Sequence, residues 1–75
     1  MTNEQVKDGF NEVYNEFWNR YKNHVPAKDS EEWDRLLTWA SVLKRRYPFL
    51  KETVIALVVE LDQRVRRKDE AKRDI

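Results

Sequence analysis

The chain has 75 residues, of which 40% are hydrophobic and 39% charged, with 15 bases against 14 acids and a net charge of +1. It contains no cysteine and a single histidine, His24, so a disulfide framework is excluded and a typical structural zinc site nearly so. Three Trp, three Tyr and three Phe are too many aromatics for a disordered chain. One Gly and two Pro allow few breaks, so a few long helices around one core are expected.

The first helix is expected from about 3 to 23. Thr2 can cap it, and Gln5, three residues on, completes a capping-box pattern. Val6, Phe10, Val13, Tyr14, Phe17, Trp18, Tyr21 and Val25 then recur at helical spacing and form one apolar stripe. Gly9 falls inside the helix, where it costs about 1 kcal/mol relative to Ala; it admits a close neighbour or marks a frayed first turn. Pro26 disfavours helix at Val25 and ends the segment.

The second helix is expected from about 30 to 46, capped by Asp29 or Ser30. Asp29 and Glu32 have capping-box spacing, and Glu31 and Glu32 suit the positive end of the helix dipole. Its stripe is Trp33, Leu36, Leu37, Ala40, Leu43 and Tyr47. Lys44, Arg45 and Arg46 fall in the last turn, the end that favours positive charge. Pro48 closes this helix and stands near the first position of the next.

The third helix is expected from about 49 to 68, with a frayed charged tail from about 69. Its stripe is Leu50, Val54, Leu57, Val58, Leu61 and Val65. Thr53 to Leu61 (TVIALVVEL) also reads as a buried strand. Helix is preferred because the stripe continues at helical spacing to Leu50 and Val65, and no second strand candidate exists to pair with it. The whole is expected to be one all-α domain, residues 1–75, folded as a three-helix bundle. Phe17, Trp33, Leu37, Leu57 and Leu61 should be buried together.

Four apolar residues are left over. Ile55 and Val59 form a second ridge on the third helix, well off its stripe at about 100° per residue. Trp39 and Val42 lie off the stripe of the second. A small bundle can bury one such residue on its last helix but hardly both. The four therefore mark a surface for self-association or for another protein, and a two-fold patch of this kind can hold a dimer.

Charge divides unevenly. Residues 1–43 hold 8 acids and 5 bases, and residues 44–75 hold 6 acids and 10 bases. That asymmetry suits an anionic partner or an antiparallel second copy. Lys44, Arg45 and Arg46, with Arg64, Arg66, Arg67 and Lys68, are the residues that would contact phosphates in nucleic acid. Asp62, Asp69 and Glu70 interrupt them, and the Tyr47-Pro48 joint lacks the glycine usual in a helix-turn-helix.

Other chemistry is poorly represented. Asp29, Glu31, Glu32 and Asp34 lack the alternating oxygen ligands and turn glycine of a calcium loop, and capping explains them. His24 has no nucleophile arranged beside it; a place at a helix C-terminus is its expected role. Phe17, Trp18, Tyr21, Trp33 and Trp39 read as core rather than as a ligand pocket. Neither a catalytic site nor a metal or cofactor site is expected. Met1 to Phe10 lacks the basic start and apolar core of a signal peptide, and the longest apolar run is about half a membrane span, so a cytoplasmic setting is expected.

Glu16-Phe17-Trp18, Tyr21-Lys22 and Ser30-Glu31-Glu32-Trp33-Asp34 resemble small helical proteins of unassigned function carried by phages and conjugative transposons of Firmicutes. The likeness covers roughly residues 14–65. It implies a bacterial cytoplasmic setting and an accessory role in a mobile element, and it carries no activity or functional residues. The expected function is a non-enzymatic, homodimeric protein–protein interaction module. The alternative is a small nucleic-acid-binding accessory factor.

Overall fold

The structure is a computed structural model that describes residues 1–73, with side chains through Arg67. It is an all-α three-helix bundle, and no strand occurs among the described residues. Helix α1 is continuous through an α-helical segment Asn3–Phe10, a π-helical segment Asn11–Trp18 and a closing α turn Asn19–Tyr21. Helix α2 spans Glu31–Arg46, and a 3₁₀ turn, Pro48–Leu50, leads into α3, Lys51–Arg73. The molecule is a rod, 52 Å long and 18 Å across.

The helix ends follow from their sequences. Thr2 Oγ1 accepts from the Gln5 N–H at 3.1 Å, and Gln5 Oε1 accepts from the Thr2 N–H at 2.9 Å, so the expected capping box forms. Ser30, not Asp29, caps α2: its Oγ accepts from the Trp33 N–H at 3.3 Å and donates to the Ala27 carbonyl at 2.6 Å. Pro48 opens the 3₁₀ turn, where its missing N–H costs nothing. The backbone of α3 is helical to Arg73, beyond the expected end near 68. The side chains of the tail from 69 lie outside those described.

The helices run up, down and up. Arg46, at the end of α2, donates to Glu12 of α1 at 2.6 Å, so these two helices are antiparallel. Arg64, late in α3, donates to the Lys22 carbonyl just past α1 at 2.9 Å. The core is built from Val13, Phe17 and Tyr21 of α1, Trp33, Leu36, Ala40 and Leu43 of α2, Leu50 of the 3₁₀ turn, and Val54, Leu61 and Val65 of α3. Burying one Leu or Phe side chain is worth about 1.5–3 kcal/mol, and no polar side chain shares this interior among the described residues.

In α1 the buried positions are Gly9, Val13, Phe17 and Tyr21, a strict spacing of four. An α-helix, at 3.6 residues per turn, would carry such a row steadily around the axis. The π segment, with its i→i+5 bonds, holds more residues per turn. The Asn19 N–H, for instance, reaches the Tyr14 carbonyl. The wider turn cancels the drift and keeps the row facing α2. It also moves Phe10 and Tyr14, expected in the stripe, to the rim, where they are 51% and 58% exposed.

Gly9 marks a close approach between elements. A Cβ there would stand 3.0 Å from Leu50 Cδ1 and from Phe49 Cζ, and 3.2 Å from Tyr47 Cδ1. Its missing side chain lets α1 cross the α2–α3 corner closely, and that gain offsets its poor helix propensity.

Candidate interaction surface

The expected core is corrected at two positions, Leu37 and Leu57. Phe17, Trp33 and Leu61 are buried and Leu57 is half-buried, but Leu37 is 40% exposed. The cause at Leu37 is the rotation of α2 about its axis. Trp39, set aside as surplus, instead packs edge to face against Phe17 at 5.4 Å and Tyr21 at 6.1 Å. Such aromatic pairs add about 0.5–1.5 kcal/mol to simple burial, enough to favour turning the larger ring inward. The buried arc of α2 thus swings toward Trp39 and leaves Leu37 on its opposite shoulder. Val42 is half-buried on the far side of the helix.

Leu37 now completes a groove that the sequence suggested only in part. Ile55 and Val59 are 41% and 48% exposed. Together with Ala40, Ser41, Lys44, Val54 and Val58, these three residues line a groove of about 380 Å³ between α2 and α3. Arg46 and Arg64 tie α1 to the two ends of the α2–α3 pair. The Trp39 ring, turned to α1, marks the opposite shoulder of α2 from Leu37. The groove therefore lies on the face of the α2–α3 pair that α1 leaves open. A fourth helix, or a second helical pair, would complete the packing there.

Charge varies along this groove. The first turn of α2 carries Glu31, Glu32 and Asp34, and the last turn carries Lys44, Arg45 and Arg46. Lys51 of α3 joins Ser41, Lys44 and Arg45 around a shallow hollow of about 330 Å³ at the basic end. At the other end Asp62 Oδ1 is 2.6 Å from Lys28 Nζ and Oδ2 is 3.0 Å from Arg66 Nε. This triad pins the α1–α2 loop to α3. The Lys28 contact chiefly, then the Arg66 charge, holds the Asp62 carboxyl below its ordinary range against the opposing effect of partial burial.

The residues proposed for phosphate contact do not gather on one face. Arg46 pairs with Glu12, and the Glu12 carboxylate beside the Tyr47 phenol pushes the pKa of that phenol up. Arg64 bonds Glu60 at 3.3 Å and the Lys22 carbonyl at 2.9 Å, and its guanidinium stacks 4.9 Å above the Trp18 ring. Arg66 is held by Asp62. Lys44 and Arg45 stand at one end of the bundle and Arg67 at the other, on the order of 20 Å apart at 1.5 Å of rise per residue. The Lys68 side chain lies outside those described.

The remaining candidates have structural surroundings. Glu31 stands 4.0 Å from Arg35, and the other early acids of α2 are exposed. No group of three or more His, Asp or Glu side chains gathers as a metal site among the described residues. His24 lies past the end of α1, where its backbone N–H donates to the Tyr21 carbonyl at 3.2 Å. Phe17, Tyr21 and Trp33 are buried, and Trp18 and Trp39 pack against them. No described helix is long and apolar enough to cross a membrane. Comparison with protein-family models, with curated proteins and with solved structures finds no match to this chain.

Proposed function

We propose that this chain is a non-enzymatic protein–protein interaction module that pairs with a second copy of itself through the α2–α3 groove. The observation that carries the reading is the exposure of Leu37, Ile55 and Val59 together along one groove. A domain of this size is marginal on its own core, and association is one of the few supplements open to a chain without cysteine or metal ligands. A standard interface buries about 800 Å² on each partner, roughly one-seventh of the 5743 Å² that this chain exposes. The resemblance to small proteins of Firmicutes phages and conjugative transposons adds to the proposal a cytoplasmic, mobile-element accessory role.

A second reading, a small nucleic-acid-binding accessory factor, draws on Lys44, Arg45 and Lys51 around one hollow. It is weakened by the internal engagement of Arg46, Arg64 and Arg66.

One measurement separates the two readings. Solution mass is followed by sedimentation across micromolar concentrations, in low and high salt, with and without a labelled DNA duplex. The self-association reading expects a dimer that persists in high salt, because apolar burial is not screened. A monomer that co-sediments with DNA at low salt and releases it as salt rises would favour the second reading.

A further inference from the structure

We infer that the second copy docks antiparallel, with a two-fold axis crossing the groove beside Ala40, so that the basic end of each groove covers the acidic end of the other. This rests on the self-association proposed above and goes beyond it by fixing the direction of pairing. The apolar side chains do not choose a direction, because Leu37, Ile55 and Val59 occupy the middle of the groove and would meet their counterparts either way. The ends do choose.

Lys44, Arg45 and Lys51 crowd one end of the groove. In a parallel pairing, with the two-fold axis along the groove, each of these would face its own counterpart. Three like charges on each side would then meet in a partly dried contact, an arrangement that opposes association. Glu52, also exposed on α3, offsets only one of them.

In the antiparallel pairing Lys44 and Arg45 lie over the first turn of the other copy's α2, and Lys51 lies over the far end of its α3. Asp34 is exposed in that first turn of α2, on the same face as Leu37 and Ser41, three and seven residues on. Glu31 and Glu32 lie in the same turn and add negative potential. The cations at that end, Lys28 and Arg66, are both engaged by Asp62, and Arg35 stands beside Glu31. Asp62 cancels only one of the two charges of Lys28 and Arg66, but the acids of that end, Glu31, Glu32, Asp34 and Asp62, still outnumber Lys28, Arg35 and Arg66. The α2 helices would also pair head to tail, which opposes their dipoles favourably.

The geometry gives a position-specific test. Asp34 and Arg45 are equidistant from the axis along α2, on opposite sides of it, separated by about 16 Å at 1.5 Å of rise per residue. An antiparallel pair brings position 34 of one copy to position 45 of the other and keeps each away from its own counterpart. The chain has no cysteine, so introduced thiols report without background. Asp34→Cys and Arg45→Cys are prepared singly, their helicity is checked by circular dichroism, and each is treated alone and in equal mixture with a short bifunctional thiol cross-linker.

The expected result is a linked dimer in the mixture, several-fold more abundant than in either variant alone. Linking of each variant with itself at the same yield would overturn the antiparallel direction while leaving self-association intact. The absence of linked product, with wild-type protein sedimenting as a monomer, would overturn self-association and the pairing with it. The absence of linked product from a wild-type dimer would show that copies meet elsewhere and would overturn this use of the groove.

Discussion

Val59→Glu tests the groove most directly. Val59 is 48% exposed in the single chain, so about half of its burial remains to be gained on association. Full burial of a Val is worth about 1.5–3 kcal/mol, which leaves about 0.7–1.4 per copy and about 1.5–3 across a two-fold interface. At about 1.4 kcal/mol per tenfold, the loss of apolar burial alone weakens the dimer by about 10- to 100-fold. A carboxylate taken out of water without a cation opposite adds several kcal/mol per ion. The variant should therefore be a monomer at micromolar concentrations. The fold should tolerate the change, because Glu has better helix propensity than Val and the site is half open to water. Sedimentation equilibrium reads the mass and far-ultraviolet circular dichroism reads the helix content. A dimer of unchanged affinity would refute the use of this groove. Loss of the helical signal would show that Val59 supports the single-chain core. A wild-type protein that stays monomeric at hundreds of micromolar would refute self-association altogether.

Two further outcomes concern the bundle itself. Leu61 is fully buried, whereas Leu57 is half-buried on the same helix; Leu61→Ala should cost about 2–5 kcal/mol in urea denaturation and Leu57→Ala clearly less, and equal losses would contradict this packing. Asp62 is held below its ordinary pKa when folded, so the unfolded chain binds its proton more readily. Its stabilising contribution is complete above the unfolded value near 3.9 and is lost as pH falls through the folded one. Thermal midpoints recorded from about pH 6 to pH 2 should fall less steeply for Asp62→Asn than for the wild type, and identical slopes would remove the Lys28–Asp62–Arg66 triad as a source of stability.

The parts of the fold that depend on local chemistry were legible in the sequence. Thr2 and Gln5 could cap only a helix that starts where α1 starts, and Pro48 marked its boundary equally well, whereas the start of α2 stayed open between Asp29 and Ser30. The rotation of each helix was less accessible. A helical wheel fixes the angle between Leu37 and Trp39 but does not say which of them turns inward; that depends on where Phe17 and Tyr21 stand on another helix. The π segment was hidden for a related reason. Over the two turns from Val13 to Tyr21, a row spaced by four drifts by only about 40° per step on an α-helix, so the spacing alone does not reveal a π segment. Of the four residues singled out as surplus, Ile55 and Val59 border the open groove and Trp39 was absorbed by α1. Leu37, its replacement, carried no distinguishing sign, being an ordinary stripe residue by spacing.

The α2–α3 pair has two greasy sides, and they are governed by different laws of supply. One is covered by α1, which is tied to it through the segment 22–30. A short tether of this kind holds its cargo at an effective concentration in the millimolar range, so that side is covered however dilute the protein is. Among the described residues, no segment is tethered over the groove. A second copy in it must arrive by diffusion, and its occupancy follows the concentration of that copy. With the two sides back to back on one helical hairpin, the first is a permanent part of the molecule, and under the proposed self-association the second fills in proportion to the concentration of copies.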